Sequence, residues 1–168
     1  YRTKYAKIAE LWKEGDKALK AIQKGYDFYL GSAKILCNAD GVHLPNGMKV
    51  QYRNLRESMG GYEYDSRYGP VKIYGGKLIE NIVQALARIV VFDQMAKIDM
   101  ALQKYDKPNA RFKVVLTVHD EVVVVCHEQA ENKILDFMVQ VMSQPPSWAP
   151  DLPVACEGSS GNNYAECK

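Results

Sequence analysis

The 168-residue sequence predicts an α+β fold: an antiparallel sheet with helices packed on it. Two patterns carry that expectation. Apolar residues recur at helical spacing in three separate segments. Between them lie short β-branched or aromatic runs joined by turn residues too few for a crossover, so neighbouring strands must be antiparallel. No internal repeat or low-complexity tract interrupts either pattern.

The first helix is expected over residues 1–24, where Tyr5, Ile8, Trp12, Leu19 and Ile22 recur with Lys and Glu between them. Gly25 is its expected stop. Hairpins follow over residues 34–74. Residues 35–38 read as a strand and Asp40 with Gly41 as a turn. Residues 42–44 and 48–52 flank Pro45, Asn46 and Gly47 as a tight hairpin. An aromatic-rich stretch, 62–74, reads as two short strands around Gly69 and Pro70. A long helix is expected over 76–106, burying Ile82, Leu86, Ile89, Val90, Met95 and Ile98, with Pro108 and Asn109 breaking the pattern. Residues 112–118 and 122–126 form two β-branched runs separated only by His119, Asp120 and Glu121, which demands a hairpin. Residues 128–168 hold a last helix, ended by Pro145 and Pro146, and a tail with one candidate strand at 154–157.

Composition narrows the class. Hydrophobic residues are 47% and charged residues 25%, which describes globular material and not a disordered tail. The net charge of +2 permits a nucleic-acid partner without arguing for one, because any basic footprint must be local. Cys37, Cys126, Cys156 and Cys167 form no C-x-x-C pair and are spaced too unevenly for a zinc finger. Cys126, at the end of an apolar run, reads as a small buried hydrophobe. The chain is expected to be reduced and intracellular. No apolar run approaches the ~20 residues of a membrane span, and no signal peptide is evident. The sequence opens on Tyr1 and runs straight into a helical pattern, so a longer parent protein is expected.

The pair Asp120 and Glu121 is the most chemically informative feature. Both flanking strands read as buried, so a stiff element presents two adjacent acids at its edge. Magnesium takes hard oxygen ligands in near-octahedral geometry and uses only one or two protein carboxylates. The plain alternative is that the two acids solvate a hairpin turn, with His119 a hydrogen-bonded strand-end histidine. The residue pattern leaves both open.

Three separated stretches carry a resemblance. Residues 117–123 (Thr-Val-His-Asp-Glu-Val-Val) resemble the palm motif of family A DNA polymerases, the DNA polymerase I and phage type. Residues 74–88 look like the long palm helix of its phage-like branch. Leu44, Pro45, Asn46 and Gly47, followed by residues 52–56, are similar to the hairpin before that helix. Residues 1–12 are similar to the helix that follows the fingers, and 158–168 to the family's C-terminus. The order agrees throughout, so the resemblance spans residues 1–168 as one C-terminal palm portion.

The resemblance implies roles residue by residue. Asp120 matches a metal-binding aspartate, Glu121 its supporting acid and His119 a contact to the primer end, with Mg²⁺ in a two-metal site. Gln84 matches a glutamine that touches the template–primer minor groove. Asn81, Gln84 and Arg88, at i, i+3 and i+7, form a polar stripe. Amide and guanidinium donors there can check base-pair geometry without reading sequence. A solvated helix face is the alternative. Lys77 is a candidate phosphate contact or an exposed helix-start lysine. One position departs: the family commonly has aspartate where this chain has Ile89.

The implied partners are primer–template DNA, deoxynucleoside triphosphates and an upstream fingers, palm and thumb portion, in a bacterial or phage-infected cytoplasm without a membrane. The family's other catalytic aspartate, and its fingers helix with lysine, arginine and tyrosine, are not found in these 168 residues. The chain alone is therefore expected to be inactive as a polymerase. The competing reading is a non-catalytic DNA-binding remnant or truncated fragment.

Overall fold

The computed structural model describes residues 5–109 and 111–167. The expected first turn of the first helix, residues 1–4, and the terminal Lys168 lie outside them. The fold is α+β with antiparallel pairing throughout, as expected. Among the described residues there are three sheets where the sequence suggests one, and the chain divides into two compact units, Tyr1–Ala87 and Arg88–Lys168.

In the first unit, helix α1 spans Ala6–Lys24 and ends on Gly25, whose φ of 80° closes the helix as its C-cap. Its apolar stripe is buried only in the second half, at Ala18, Leu19, Ala21 and Ile22, while Tyr5 and Ile8 are exposed. Four strands follow, β1 (Phe28–Leu30), β2 (Ile35–Asn38), β3 (Gly41–His43) and β4 (Lys49–Val50), paired in that order. Strand β1 is not among the expected strands, because three residues carry no usable period. Leu30, Ile35, Cys37, Val42 and Leu44 supply the buried side of this sheet, and α1 lies against β1 and β2.

A second sheet comprises β5 (Arg56–Ser58), β6 (Gly61–Ser66) and β7 (Gly69–Ile73). The expected turn at Gly69 and Pro70 is displaced: Ser66 pairs with Gly69, so Arg67 and Tyr68 form the turn and Pro70 sits within β7. An edge strand tolerates a residue without an N–H. Arg56 ties the sheet together, bridging Glu63 at 2.7 Å and Asp65 at 2.9 Å.

Helix α2, Gly75–Leu102, begins against α1. A Cβ on Gly75 would lie 2.1 Å from the Trp12 carbonyl oxygen, and one on Gly15 would lie 2.5 Å from the Gly75 carbonyl oxygen. Only glycine allows backbones to approach so closely. Asp16 Oδ1 accepts the Gly75 N–H at 2.6 Å, capping α2 from a different helix. The helix ends at Leu102, short of the expected 106. Ile82, Ile89 and Ile98 are buried as expected, whereas Leu86, Val90 and Met95 are half-buried. Ile89 is a core residue, and an aspartate side chain there would have to be desolvated.

In the second unit, strands β8 (Lys113–Val118) and β9 (Glu121–Val125) form a hairpin, followed by a 3₁₀ turn at Glu128–Ala130 and helix α3, Glu131–Met142. Ile98, Leu102, Val141 and Met142 form the core, with Val114, Val122, Val124, Ile134, Phe137 and Cys156 packed around it. Gln94 is a buried polar residue of α2. Its Nε2 donates to the carbonyl oxygens of Met142 and Gln144, both at 3.0 Å, satisfying carbonyls at the end of α3. The candidate strand at 154–157 does not form. That stretch packs Cys156 on the core and continues to Gly158, where a Cβ would lie 2.8 Å from Leu135 and Val139 side-chain atoms of α3. Cys126 is half-buried, and the fully buried cysteine is Cys37. No helix among the described residues is long and apolar enough to cross a membrane.

Candidate active site

Strand pairing determines where the acids lie. Val118 pairs with Glu121, so His119 and Asp120 alone form the turn and Glu121 is the first residue of β9. His119 adopts φ 53°, a left-handed conformation uncommon outside glycine but enriched in Asn, Asp and His. A bulge between Val114 and Leu116 shifts the β8 register, and bulges re-aim the residues beyond them. At the hairpin's base, Asp106 Oδ1 accepts the Phe112 N–H at 2.9 Å. That bond, followed by the charge and hydrogen bond of Arg111, holds the Asp106 carboxyl below its usual range.

The two strands are not buried on both faces, contrary to the sequence expectation. Val114, Val122 and Val124 pack on the core. Side chains alternate along a strand, and the register places Glu121 with Leu116, Val118, Val123 and Val125 on the other face. Leu116 and Val125 there are 45% and 46% exposed, and the bulged Val115 is 45% exposed. A run of β-branched residues reads the same whether one face or both are covered.

His119, Asp120 and Glu121 are all exposed. Among the described residues no hydrogen bond or ion pair engages the Asp120 carboxylate. Glu121 Oε2 accepts the Tyr164 hydroxyl at 2.5 Å. No local signal in the sequence points to Tyr164: it lies 43 residues away in a polar tail, and no periodicity links the two. Two adjacent carboxylates are a hard oxygen donor set of the kind Mg²⁺ accepts. Among the described residues no group of three or more His, Cys, Asp or Glu side chains gathers to hold a metal ion. The described residues thus offer a carboxylate pair and no fuller set of side-chain ligands.

The polar stripe on α2 divides by availability. Asn81 is half-buried and its Nδ2 donates to the Tyr52 hydroxyl at 3.1 Å, where burial, above all, raises the phenol's pKa. Gln84 is exposed, with a long 3.4 Å contact to Glu80. The Arg88 guanidinium stacks over Phe92 at 4.4 Å, leaving its edges for other acceptors. Lys77 bridges Glu80 at 2.8 Å, and that hydrogen bond is the main reason its pKa rises. Lys77, Asn81 and Gln84 belong to the first unit, and Arg88, His119, Asp120 and Glu121 to the second.

No family model matches this sequence, and no solved structure matches it. A curated protein does: the DNA polymerase of Bacillus phage SP02 is 31% identical over 179 aligned positions covering 98% of this chain. The chain spans 26% of that protein's length, and is therefore similar, along nearly all of its sequence, to about a quarter of a phage DNA polymerase.

Proposed function

We propose that this chain is the C-terminal palm portion of a family A DNA polymerase and carries one half of a two-metal nucleotidyl-transfer site. The observation that carries the reading is the two-residue turn that leaves the Asp120 and Glu121 carboxylates adjacent and exposed at the end of a hairpin. The similarity to a phage DNA polymerase supports it. So does the half-exposed apolar face of β8 and β9, since two-stranded sheets are marginal alone and gain from a further strand.

In this reading Asp120 is the metal-binding aspartate and Glu121 its supporting acid. Bound Mg²⁺ would activate the attacking oxygen of the primer end and stabilise the leaving one. Asp120 is suited to hold such an ion because its carboxylate has no competing partner among the described residues. His119 contacts the primer end near its terminal phosphate. Gln84 and Arg88 offer donors to minor-groove acceptors. Asn81 acts through Tyr52, and Lys77 reaches a phosphate only by exchanging Glu80 for it. The incoming nucleotide's clamp and the second catalytic aspartate belong to an upstream portion of the enzyme, in a bacterial or phage-infected cytoplasm.

The test is reconstitution. The 168-residue chain alone should not extend a primed template. Supplying the upstream portion, in trans or in cis, should restore Mg²⁺-dependent extension. Asp120→Ala should then lower extension by at least about 100-fold, as losing several kcal/mol of charge stabilisation requires. Unchanged extension by that variant would refute the assignment. The exposed Gln84 and the Arg88 guanidinium over Phe92 favour one second reading, a DNA-binding portion without chemistry. It predicts salt-dependent duplex binding that is indifferent to Mg²⁺.

A further inference from the structure

We propose that Tyr164 is a positioning residue that holds the Glu121 carboxylate in place for a divalent cation. This inference rests on the reading of Asp120 and Glu121 as metal ligands. The phenol O–H donates to Glu121 Oε2 at 2.5 Å, within the range of charge-assisted O–H···O⁻ bonds. No other donor reaches the Glu121 side chain among the described residues.

The tail that delivers Tyr164 is itself anchored. Ser160 donates its hydroxyl proton to Glu131 Oε1, at the first residue of α3, and Ser159 donates to the Cys167 carbonyl oxygen. Glu166 accepts the Asn162 N–H at 2.8 Å and the Asn163 Nδ2 at 2.5 Å, and Asn163 Oδ1 accepts the Ala165 N–H at 3.1 Å. Gly158 lies so close to Leu135 and Val139 that a side chain there would clash. Tyr164 therefore projects from a polar clamp fastened to α3. Its bond fixes an otherwise exposed glutamate, whose rotamers would have to be ordered when a cation binds.

Metal-ligating carboxylates are typically held by such outer hydrogen bonds, and losing one typically lowers metal affinity 10- to 100-fold. The experiment is a Mn²⁺ titration of the 168-residue chain, read as paramagnetic broadening of the NMR signals of residues 119–121. Wild type should broaden saturably, and Tyr164→Phe should bind about tenfold more weakly with an unchanged melting midpoint. In a Glu121→Gln background, Tyr164→Phe should cause no further loss, because the two groups act as one unit. Equal or tighter binding by Tyr164→Phe, or an equal loss in the Glu121→Gln background, overturns the positioning role while leaving the metal reading standing. A lowered melting midpoint with Mn²⁺ affinity unchanged marks a merely structural tyrosine and also overturns it. Absence of saturable broadening in wild type defeats the metal reading, and this inference with it.

Discussion

His119 shows how one residue can serve a turn and a candidate site together. Its φ of 53° is sterically poor for an L-residue, and worst for a β-branched one. His119→Val should therefore destabilise the chain by roughly 1–2 kcal/mol, whereas His119→Gly should be nearly neutral in urea unfolding. Equal effects from the two would mean that backbone conformation is not what the position selects. Cys37 makes a second prediction at this scale. Burial pushes its thiol up to about 11 from an ordinary value of 9.0. Between those values the unfolded chain has lost the proton and the folded chain keeps it, so ν_U is below ν_N and stability falls as pH rises. Unfolding measured from pH 8 to 11.5 should be flat below about 9 and decline above it. Cys37→Ala should remove that part of the decline.

At the scale of elements, the start of α2 depends on α1 more than on its own sequence. Tyr74, Gly75 and Gly76 offer no side-chain cap of their own, and Asp16 supplies it at 2.6 Å across 59 residues. Asp16→Ala should cost about 1 kcal/mol, the usual value of a lost N-cap. Gly75→Ala should cost more, about 3 kcal/mol, because its Cβ would meet the backbone of Trp12 and Asp16, which cannot swing aside as a side chain can. Denaturant midpoints of the two variants measure both. If Gly75→Ala proves no worse than Asp16→Ala, the close helix approach is not the constraint. The hairpin β8–β9 reads differently. Its inner valines are held by Ile98, Leu102, Val141 and Met142, while its outer face is half-bare.

For the molecule as a whole, that bare face separates what the chain does alone from what it is proposed to do in a longer enzyme. Val115→Thr with Leu116→Thr should leave the chain's own stability within about 0.5 kcal/mol, as expected of exposed positions. The same double variant should weaken association with the upstream portion in the reconstitution experiment. If primer extension after mixing survives it undiminished at limiting concentration, the face is not where that portion joins.

Periodicity and turn chemistry by themselves determined the three helices, the hairpins at 35–50 and 112–126, and the α+β class. Those features depend on residues close together in the chain. The adjacency of Asp120 and Glu121 was likewise legible, because it is covalent. Tertiary structure alone decided which faces are covered, since an apolar run has the same period with one face buried or two. It also shortened β1 and β5 below any readable pattern and moved the β6–β7 turn by register. Gln94, Asp16 and Tyr164 received their partners 48, 59 and 43 residues away. No local pattern encodes a hydrogen bond of that span, because both of its ends are placed by packing.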